Sequence, residues 1–453
     1  MSPCYVGERG ARPGGGYRRR VRRSPYDREI LSLAVPALGA LAAEPLYLLA
    51  DTAIVGHLGT PQLAALALAA TILSSLVSLC IFLTYGTTAR VTRLHGAGEH
   101  EAAGALAAQA LWLALAIGAA LTAAVSALAG PLVSLLGGDG EVADMAARYL
   151  RIASLGAPMA LIALAGQGWL RGVGNLRTPL VIVVAANAVN VVLELLFVYG
   201  FGWGLDGSAW GTVIAQAGMG LAFVAVLLRA PTRSRRPDFT GIRSLSSIGA
   251  QLLVRTAALL GCFVLATAVC ARIGEASLGA HQIGFQLFTF LALVLDAIAI
   301  AGQVIVGRAL GAGDADAAYA AARRMIGWAL GAGLLIGAVL LALIDVVPRA
   351  FTTDPAVIDR AHAMWPLFCA LWPLAAVVFA LDGILIGAGD TRFLAGAMVL
   401  AAAVFVPLVL AALHLGLGIV GVWCALLALM AVRLATLAVR FAGRRWALLG
   451  AAT

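Results

Sequence analysis

The sequence predicts an all-α membrane protein with twelve transmembrane helices in two lobes of six, facing each other across a central cleft. Three observations predict this class: the composition, the recurrence of long apolar runs, and an internal repeat. The 453 residues are 62% hydrophobic and only 12% charged, with a mean hydropathy of +0.97. Ordinary soluble domains are about half apolar and about a quarter charged, so this composition excludes a soluble class.

Twelve apolar segments are long enough to cross a bilayer as helices. The sequence places them at residues 30–55, 63–86, 103–129, 147–170, 179–201, 208–228, 249–270, 278–306, 321–345, 362–386, 393–413 and 420–442. The segments outside them are short and polar, and they divide the chain into domains. We expect a disordered basic tail over 1–27, an N-lobe over 28–230, a linker over 231–247, a C-lobe over 248–442 and a C-terminal tail over 443–453.

The arginines predict the orientation of these spans. All 31 basic residues are arginine, and 24 of them lie in the tails, the linker and the loops on one side, against five in the loops on the other. Loops rich in Lys and Arg stay in the cytoplasm. We therefore expect both termini in the cytoplasm and a multi-pass protein of the cell's inner membrane. Because most of the arginines lie in the loops and tails, as membrane orientation requires, the net charge of +9 does not indicate a nucleic-acid partner.

The second half of the chain repeats the first. "HGAGEHEAA" (95–103) returns as "LGAGDADAA" (310–318), and "GWLRGVGNLRT" (168–178) returns as "GILIGAGDTRF" (383–393), both at an offset of 215 residues. Each repeat holds six spans, an even number, so both halves enter the membrane in the same sense. Such parallel repeats are related by a pseudo-two-fold axis along the membrane normal, an arrangement typical of alternating-access carriers.

Polar side chains within span one form a candidate site. Glu44, Tyr47 and Asp51 have the spacing i, i+3, i+7 and so share one helical face. Ionisable residues within a membrane are costly and commonly functional, and burial favours the neutral form of a carboxyl group, which suits proton exchange. Pro36 and Pro45 lie in the same span, where each removes a backbone hydrogen bond and favours bending.

Span five carries a second polar face. Asn187, Asn190 and Glu194 again have the spacing i, i+3, i+7. An Asn side chain both donates and accepts hydrogen bonds, so it can hold a carboxyl group in either protonation state. Adhesion between helices is the alternative role of membrane Asn residues, and we favour it for Asn187.

The second lobe has its own polar residues within spans. Arg255, Asp296, Gln303 and Asp382 lie in spans seven, eight and ten. We assign them to the substrate path or to a supporting polar network, as we do Glu44, Tyr47 and Asn187 of the N-lobe. Intramembrane charges usually pair with one another. A purely structural charge network therefore explains Arg255 about as well as a role in transport.

Three stretches together resemble the multidrug and toxic compound extrusion (MATE) family, and within it the DNA-damage-inducible, DinF-type branch. They are "PLYLLADTAIVGHLG" (45–59), "GRALGAGD" (307–314) and "LDGILIGAGDTR" (381–392). The resemblance implies a V-shaped pair of lobes and cation-coupled export. It also implies that Asp51, Asn190 and Glu194 form a cation site in the N-lobe. Relatives often have Asp where Glu194 stands and Glu where Gln303 stands; because Gln cannot titrate, the N-lobe is favoured as the coupling site.

We therefore predict a secondary active exporter of organic, often cationic, compounds, driven by inward proton flow with sodium as the alternative ion. It is expected to be a monomer with no enzymatic activity and no cofactor. A lipid-linked precursor flippase is the main alternative; it would need a strongly positive cavity, whereas only Arg255 and Arg433 lie within the spans away from the span ends. An intramembrane enzyme or a passive channel fits less well, because no catalytic constellation is visible and the lobes are duplicated.

Overall fold

A computed structural model describes residues 25–232 and 234–450, and every regular element in these ranges is helical. Eight helices form the N-lobe, with α7 continuing into a π-helical turn over Leu196–Gly200. Their bounds are α1 Pro25–Gly56, α2 Thr60–Leu79, α3 Phe82–Gly96, α4 His100–Leu135, α5 Gly140–Ser154, α6 Ala157–Gly172, α7 Arg177–Leu195 and α8 Gly204–Leu228. Except for 25–27, the predicted N-terminal tail lies outside the described residues.

Seven helices form the C-lobe and complete the predicted architecture. They are α9 Phe239–Ile273, α10 Glu275–Gly311, α11 Ala315–Ala342, α12 Val347–Phe351, α13 Pro355–Gly387, α14 Thr391–His414 and α15 Gly418–Ala442. Eleven helical stretches of the described chain are long and apolar enough to cross a membrane, and α5 with α6, bent by 50°, gives a twelfth. The two-lobe class with twelve spans is therefore confirmed.

Several element boundaries differ from those expected. Helix α9 begins at Phe239, inside the predicted linker, because Asp238 accepts hydrogen bonds from the amides of Thr240 and Gly241 and so caps the helix. The second span is longer than expected and runs over Thr60–Gly96. Its two helices, α2 and α3, are separated by a turn at Cys80 and Ile81. The short α12 lies in a loop for which no helix was predicted.

The lobes meet most closely at one end of the bundle, which we call the tail face because the first turn of α1 and residues 443–450 lie there. Helix α3 of the N-lobe packs against α10 of the C-lobe through reciprocal glycines. A Cβ added to Gly96 would lie 2.1 Å from the carbonyl oxygen of Arg308, and one added to Gly311 would lie 2.1 Å from that of Arg93. Only glycine permits this approach of the two backbones.

The C-terminal segment seals the same end. Arg93 is completely buried, and its guanidinium donates hydrogen bonds to the carbonyl oxygens of Ala388, Leu448 and Gly450 at 2.5–3.0 Å. Trp446 is buried in a core that contains side chains of both lobes. The backbone of residues 446–450 is thus part of the seam between the lobes.

Towards the opposite end, the lobes have separate cores. One cluster contains N-lobe residues such as Val55, Leu66 and Val133, and another contains C-lobe residues such as Trp365, Phe405 and Trp423. The core shared by both lobes lies near the tail face. The lobes therefore diverge from the tail face, as a V-shaped cleft open to the opposite side requires.

Candidate functional site

A polar cluster lies inside the N-lobe, in the half of α1 far from the tail face. We call it the N-lobe polar cluster, and three helices contribute to it. Its members are Tyr47 and Asp51 from α1, Asn190 and Glu194 from α7, and Ser208 and Thr212 from α8. The structure thus brings together four of the residues predicted from spans one and five.

Hydrogen bonds join the three helices at this cluster. The hydroxyl of Tyr47 donates to Oε1 of Glu194 at 2.9 Å and lies 3.0 Å from the hydroxyl of Thr212. The hydroxyl of Ser208 donates to Oδ1 of Asp51 at 2.8 Å. Each carboxyl group therefore has one oxygen held by a neutral hydroxyl from another helix.

Small residues on α8 allow the close approach that forms the cluster. A Cβ on Gly211 would lie 3.1 Å from Cγ of Glu194 and 3.4 Å from Oδ1 of Asn190. Four residues earlier, a Cβ on Gly207 would lie 2.8 Å from the backbone of Phe197. Glycines with this spacing let membrane helices pack with their backbones close together, so α8 can form one wall of the site.

The two carboxyl groups are buried without a compensating cation. Asp51 is 3% exposed and Glu194 is fully buried, and the two interact electrostatically with each other. Across residues 25–232 and 234–450, no arginine forms an ion pair with either one. In the same ranges, Oε2 of Glu194 and Oδ1 of Asn190 are buried without a hydrogen-bond partner. Neighbouring carboxylates cannot both stay ionised in such surroundings, so this arrangement can hold a proton or another small cation.

Other predicted residues of the N-lobe lie around this cluster. Asn187 donates to the carbonyl oxygen of Ala43 on α1 at 3.0 Å, as expected for adhesion between helices. The side chain of Glu44 is exposed on the surface of α1. Pro36 and Pro45 are both inside α1. Tyr199, in the π-helical turn, donates to the carbonyl oxygen of Ile54 at 2.6 Å and further ties α1 to the end of α7.

The predicted polar residues of the C-lobe form a different kind of site. Oδ2 of Asp382 accepts from Arg255 and from Arg433, each at 2.5 Å, and all three side chains are largely buried. Asp296 interacts electrostatically with Arg255 and with Arg171 of the N-lobe. Arg171, Arg255, Asp296, Asp382 and Arg433 thus form what we call the inter-lobe charge cluster.

Gln303, the remaining predicted residue of the C-lobe, shows no hydrogen bond to either cluster within the described residues. Its side chain is 1% exposed, and its Oε1 has no hydrogen-bond partner among the described residues. An amide carries no charge and does not titrate. The position therefore offers a polar acceptor within α10 but no site for proton uptake.

Sequence reasoning missed several members of these clusters. Ser208 and Thr212 are single small polar residues in a helix rich in Gly and Ala, and their spacing i, i+4 was the available signal. Arg171 directly follows the predicted span 147–170, so its position in the sequence indicates a loop. Arg433 was recognised as intramembrane, but nothing in the sequence links it to Asp382.

Comparisons with known proteins show the family of the chain. The MatE family model matches residues 36–196 and 252–413, one segment in each lobe and together more than half of the chain. The chain belongs to the MATE family. The prediction made from its three motifs is thus confirmed, and the two matched segments correspond to the two halves of the repeat.

Individual relatives cover most of this MATE family chain. Protein DETOXIFICATION 44, chloroplastic, of Arabidopsis thaliana is 31% identical over 450 residues, covering 94% of this chain and 84% of that protein. DNA damage-inducible protein F of Escherichia coli is 32% identical over 296 residues, 64% of each chain. A solved structure described as the outward-facing conformation of a multidrug resistance MATE family transporter of the MOP superfamily has a TM-score of 0.83 at 20% identity, covering 93% of this chain and 97% of that one. At this identity, the likeness to the solved structure concerns the fold.

Proposed function

We propose that this protein is a secondary active exporter that moves organic, often cationic, compounds out of the cell in exchange for protons, with sodium as the alternative coupling ion. One observation carries the proposal. Asp51 and Glu194 form a buried pair of carboxyl groups with no arginine in an ion pair with either, inside the described N-lobe. Membership of the MATE family, and relatives named as multidrug resistance proteins, support export of several kinds of compound.

The coupling ion acts by changing the charge of the N-lobe polar cluster. A proton that enters from the open cleft binds to Glu194 or Asp51 and removes one negative charge from their shared surroundings. Asn190, which can donate or accept, accommodates either state. Loss of the charge changes the bonds that Tyr47 and Ser208 make across α1, α7 and α8.

Helix α1 is the element that converts this change into movement. Pro36 and Pro45 interrupt its backbone hydrogen bonding, so α1 can adopt more than one shape at little cost. Side-chain hydrogen bonds of Tyr47, Asn187 and Tyr199 join it to α7 and to the π-helical turn that follows. When protonation weakens the contacts of Tyr47, α1 bends, the N-lobe side of the cleft narrows, and the bound compound leaves.

The orientation follows from the distribution of arginine. The tail face, which carries most of the arginines, is placed in the cytoplasm. The open cleft then faces outwards, and the seam made by α3, α10 and residues 446–450 closes the cytoplasmic side. We place the protein in the cell's inner membrane as a monomer, with both termini in the cytoplasm.

Transport into or out of proteoliposomes tests the proposal. Vesicles loaded with a fluorescent organic cation are given either a pH gradient or a sodium gradient, using wild type, Asp51→Asn and, as a matched control, Asp345→Asn, which changes an exposed carboxylate. We expect the pH gradient to drive transport in wild type and in Asp345→Asn. The transport rate of Asp51→Asn should be at least about tenfold lower, which corresponds to about 1.4 kcal/mol in activation free energy.

The other outcomes separate the alternatives. Transport driven by sodium alone would leave the exporter intact but replace the proton. Full activity of Asp51→Asn would exclude Asp51 from coupling. If neither gradient moves any cation, the lipid-linked precursor flippase becomes the better function; the arginines of the inter-lobe charge cluster favour it, although Asp382 already compensates two of them.

A further inference from the structure

A second cavity lies at the tail face, away from the N-lobe polar cluster. It has a volume of about 520 Å³ and opens between α3, the first turns of α9, and the start of α14. Three arginines from these three helices line it: Arg90, Arg243 and Arg392. Its volume is within the range of about 300–1,000 Å³ that is typical of small-molecule sites.

The charge of this cavity is positive. Arg243 and Arg392 are exposed, and neither forms an ion pair within residues 25–232 and 234–450. Arg90 already takes part in another interaction, so the other two provide most of the available charge. Asp390 is the acidic residue in the lining, and its two carboxylate oxygens accept from Arg440 at 2.6 and 3.2 Å. Its negative charge is therefore compensated.

The remaining lining is rich in neutral hydrogen-bonding groups. Three residues with hydroxyl groups, Thr240, Ser244 and Ser247, line the same cavity, together with Gln251 and Thr391. The hydroxyl of Thr391 donates to Oε1 of Gln251 at 2.6 Å, which fixes the wall where α9 meets α14. Guanidinium groups surrounded by hydroxyls suit a tetrahedral oxyanion, since Arg matches phosphate with paired N–H donors.

We propose that this cavity binds a phosphate-bearing group. Two sources share this chemistry: the head group of an anionic phospholipid in the adjoining leaflet, and a soluble phosphate compound. Basic pockets between transmembrane helices at one membrane surface are suited to lipid head groups. The lining joins both lobes, with Arg90 on α3 and Arg243 and Arg392 on α9 and α14, so the bound group also ties the lobes together at their closed end.

The site is independent of the coupling residues, so it can be tested without transport. Purified full-length protein is placed in phosphatidylcholine nanodiscs and titrated with inorganic phosphate. In a parallel arm, part of the phosphatidylcholine is replaced by phosphatidylglycerol. Thermal unfolding reports binding, because a ligand that binds the native state raises the midpoint, and native mass spectrometry counts bound lipid or phosphate.

We expect the midpoint to rise in at least one arm and the double variant Arg243→Gln/Arg392→Gln to weaken that binding by at least about tenfold, since two charge-assisted hydrogen bonds are lost. Arg229→Gln, which changes an exposed arginine at the same face outside the cavity, is the matched control and should bind like wild type. A response to phosphatidylglycerol alone identifies a lipid, and a response to phosphate alone identifies a soluble ligand.

Two results would overturn the proposal. One is the lack of any response by wild type in either arm. The other is a double variant that binds as tightly as wild type while eluting as the same monodisperse species in gel filtration. Since both arginines are exposed, the double variant should fold normally, and its unfolding midpoint in pure phosphatidylcholine checks this directly.

Discussion

The two lobes share one fold but have opposite chemistry at equivalent positions. The offset of 215 residues places Ala266 at the position of Asp51, Phe405 at that of Asn190 and Val409 at that of Glu194. All three C-lobe residues are fully buried and belong to one apolar cluster. The C-lobe therefore fills with hydrocarbon the space in which the N-lobe holds two carboxyl groups.

The reverse holds for the inter-lobe charge cluster. The same offset pairs Arg255 with Ala40 and Asp382 with Gln167, so the N-lobe has no carboxylate–arginine pair at these positions. In the C-lobe the charges compensate each other, whereas in the N-lobe they do not. A buried charge that is paired stabilises a shape, while an unpaired carboxyl group is available to exchange a cation. Under the proposed function, the duplicated fold assigns structural support to the C-lobe charges and coupling to the N-lobe carboxyl groups.

The largest effect should come from removing the shared partner in the C-lobe. Asp382→Asn leaves Arg255 and Arg433 buried without the carboxylate that both now contact. Breaking a buried pair in this way costs about 3–5 kcal/mol, so we expect a much lower unfolding midpoint and poor yield. Thermal unfolding in detergent measures this, with Asp345→Asn as the exposed control. Wild-type stability in Asp382→Asn would mean that the charges are not structural.

The second largest effect should come from Glu194 in the N-lobe, and it should appear in transport rather than in stability. Glu194→Gln keeps the size of the side chain and an acceptor for Tyr47 but removes the ability to bind a proton. We expect normal stability and at least about tenfold slower transport driven by a pH gradient. Glu275→Gln, at the exposed start of α10, is the matched control. A large loss of stability with normal coupling would reverse the roles assigned to the two lobes.

A smaller change is expected from the hydroxyl that holds Asp51. Ser208→Ala removes the hydrogen bond to Oδ1, worth about 1 kcal/mol. The proton or sodium concentration that half-saturates transport should change several-fold, with the maximal rate largely kept. Ser246→Ala, which removes a hydroxyl bonded within its own helix, should leave both quantities unchanged. Equal responses in the two variants would show that the bond to Asp51 has no special role.

The smallest effect should come from Glu44. Although it shares a helical face with Tyr47 and Asp51 by spacing, its side chain lies on the exposed part of α1. Glu44→Gln should therefore transport within about twofold of wild type, less than about 0.5 kcal/mol. Rates under the same pH gradient as for Glu194→Gln check this. A loss as large as that of Glu194→Gln would extend the coupling site along α1.

The spans, the repeat and the carboxyl groups of the N-lobe could be predicted because each is a feature of the linear sequence. A charged residue within a long apolar run is conspicuous, and both Asp51 and Glu194 are of this kind. Partners such as Ser208 and Thr212 are not conspicuous, because a hydroxyl group in a membrane helix costs little free energy. Its role depends on which neighbouring helix it contacts. The pairing of Asp382 with Arg433, 51 residues later, also depends on helix packing that local periodicity does not encode.

The C-terminal tail gives a further example of this limit. Residues 443–450 are too short to span and lack a motif, so the sequence assigned them no role. Trp446 is nevertheless buried, and the backbone of 448–450 accepts from Arg93. Arg93 contacts main-chain carbonyl oxygens, which every residue has, so the residue types at 448 and 450 do not indicate the contact.

The reciprocal glycines of α3 and α10 follow the internal two-fold symmetry of the chain. Gly96 meets the carbonyl of Arg308, and Gly311 meets that of Arg93, with the partners exchanged by the offset of the repeat. This is the pattern of an isologous interface, in which one surface patch is complementary to its own copy, as in two-fold homodimers. Each six-helix half therefore carries one copy of a self-complementary contact, and the single chain holds inside one molecule the kind of interface that a two-fold homodimer forms between subunits.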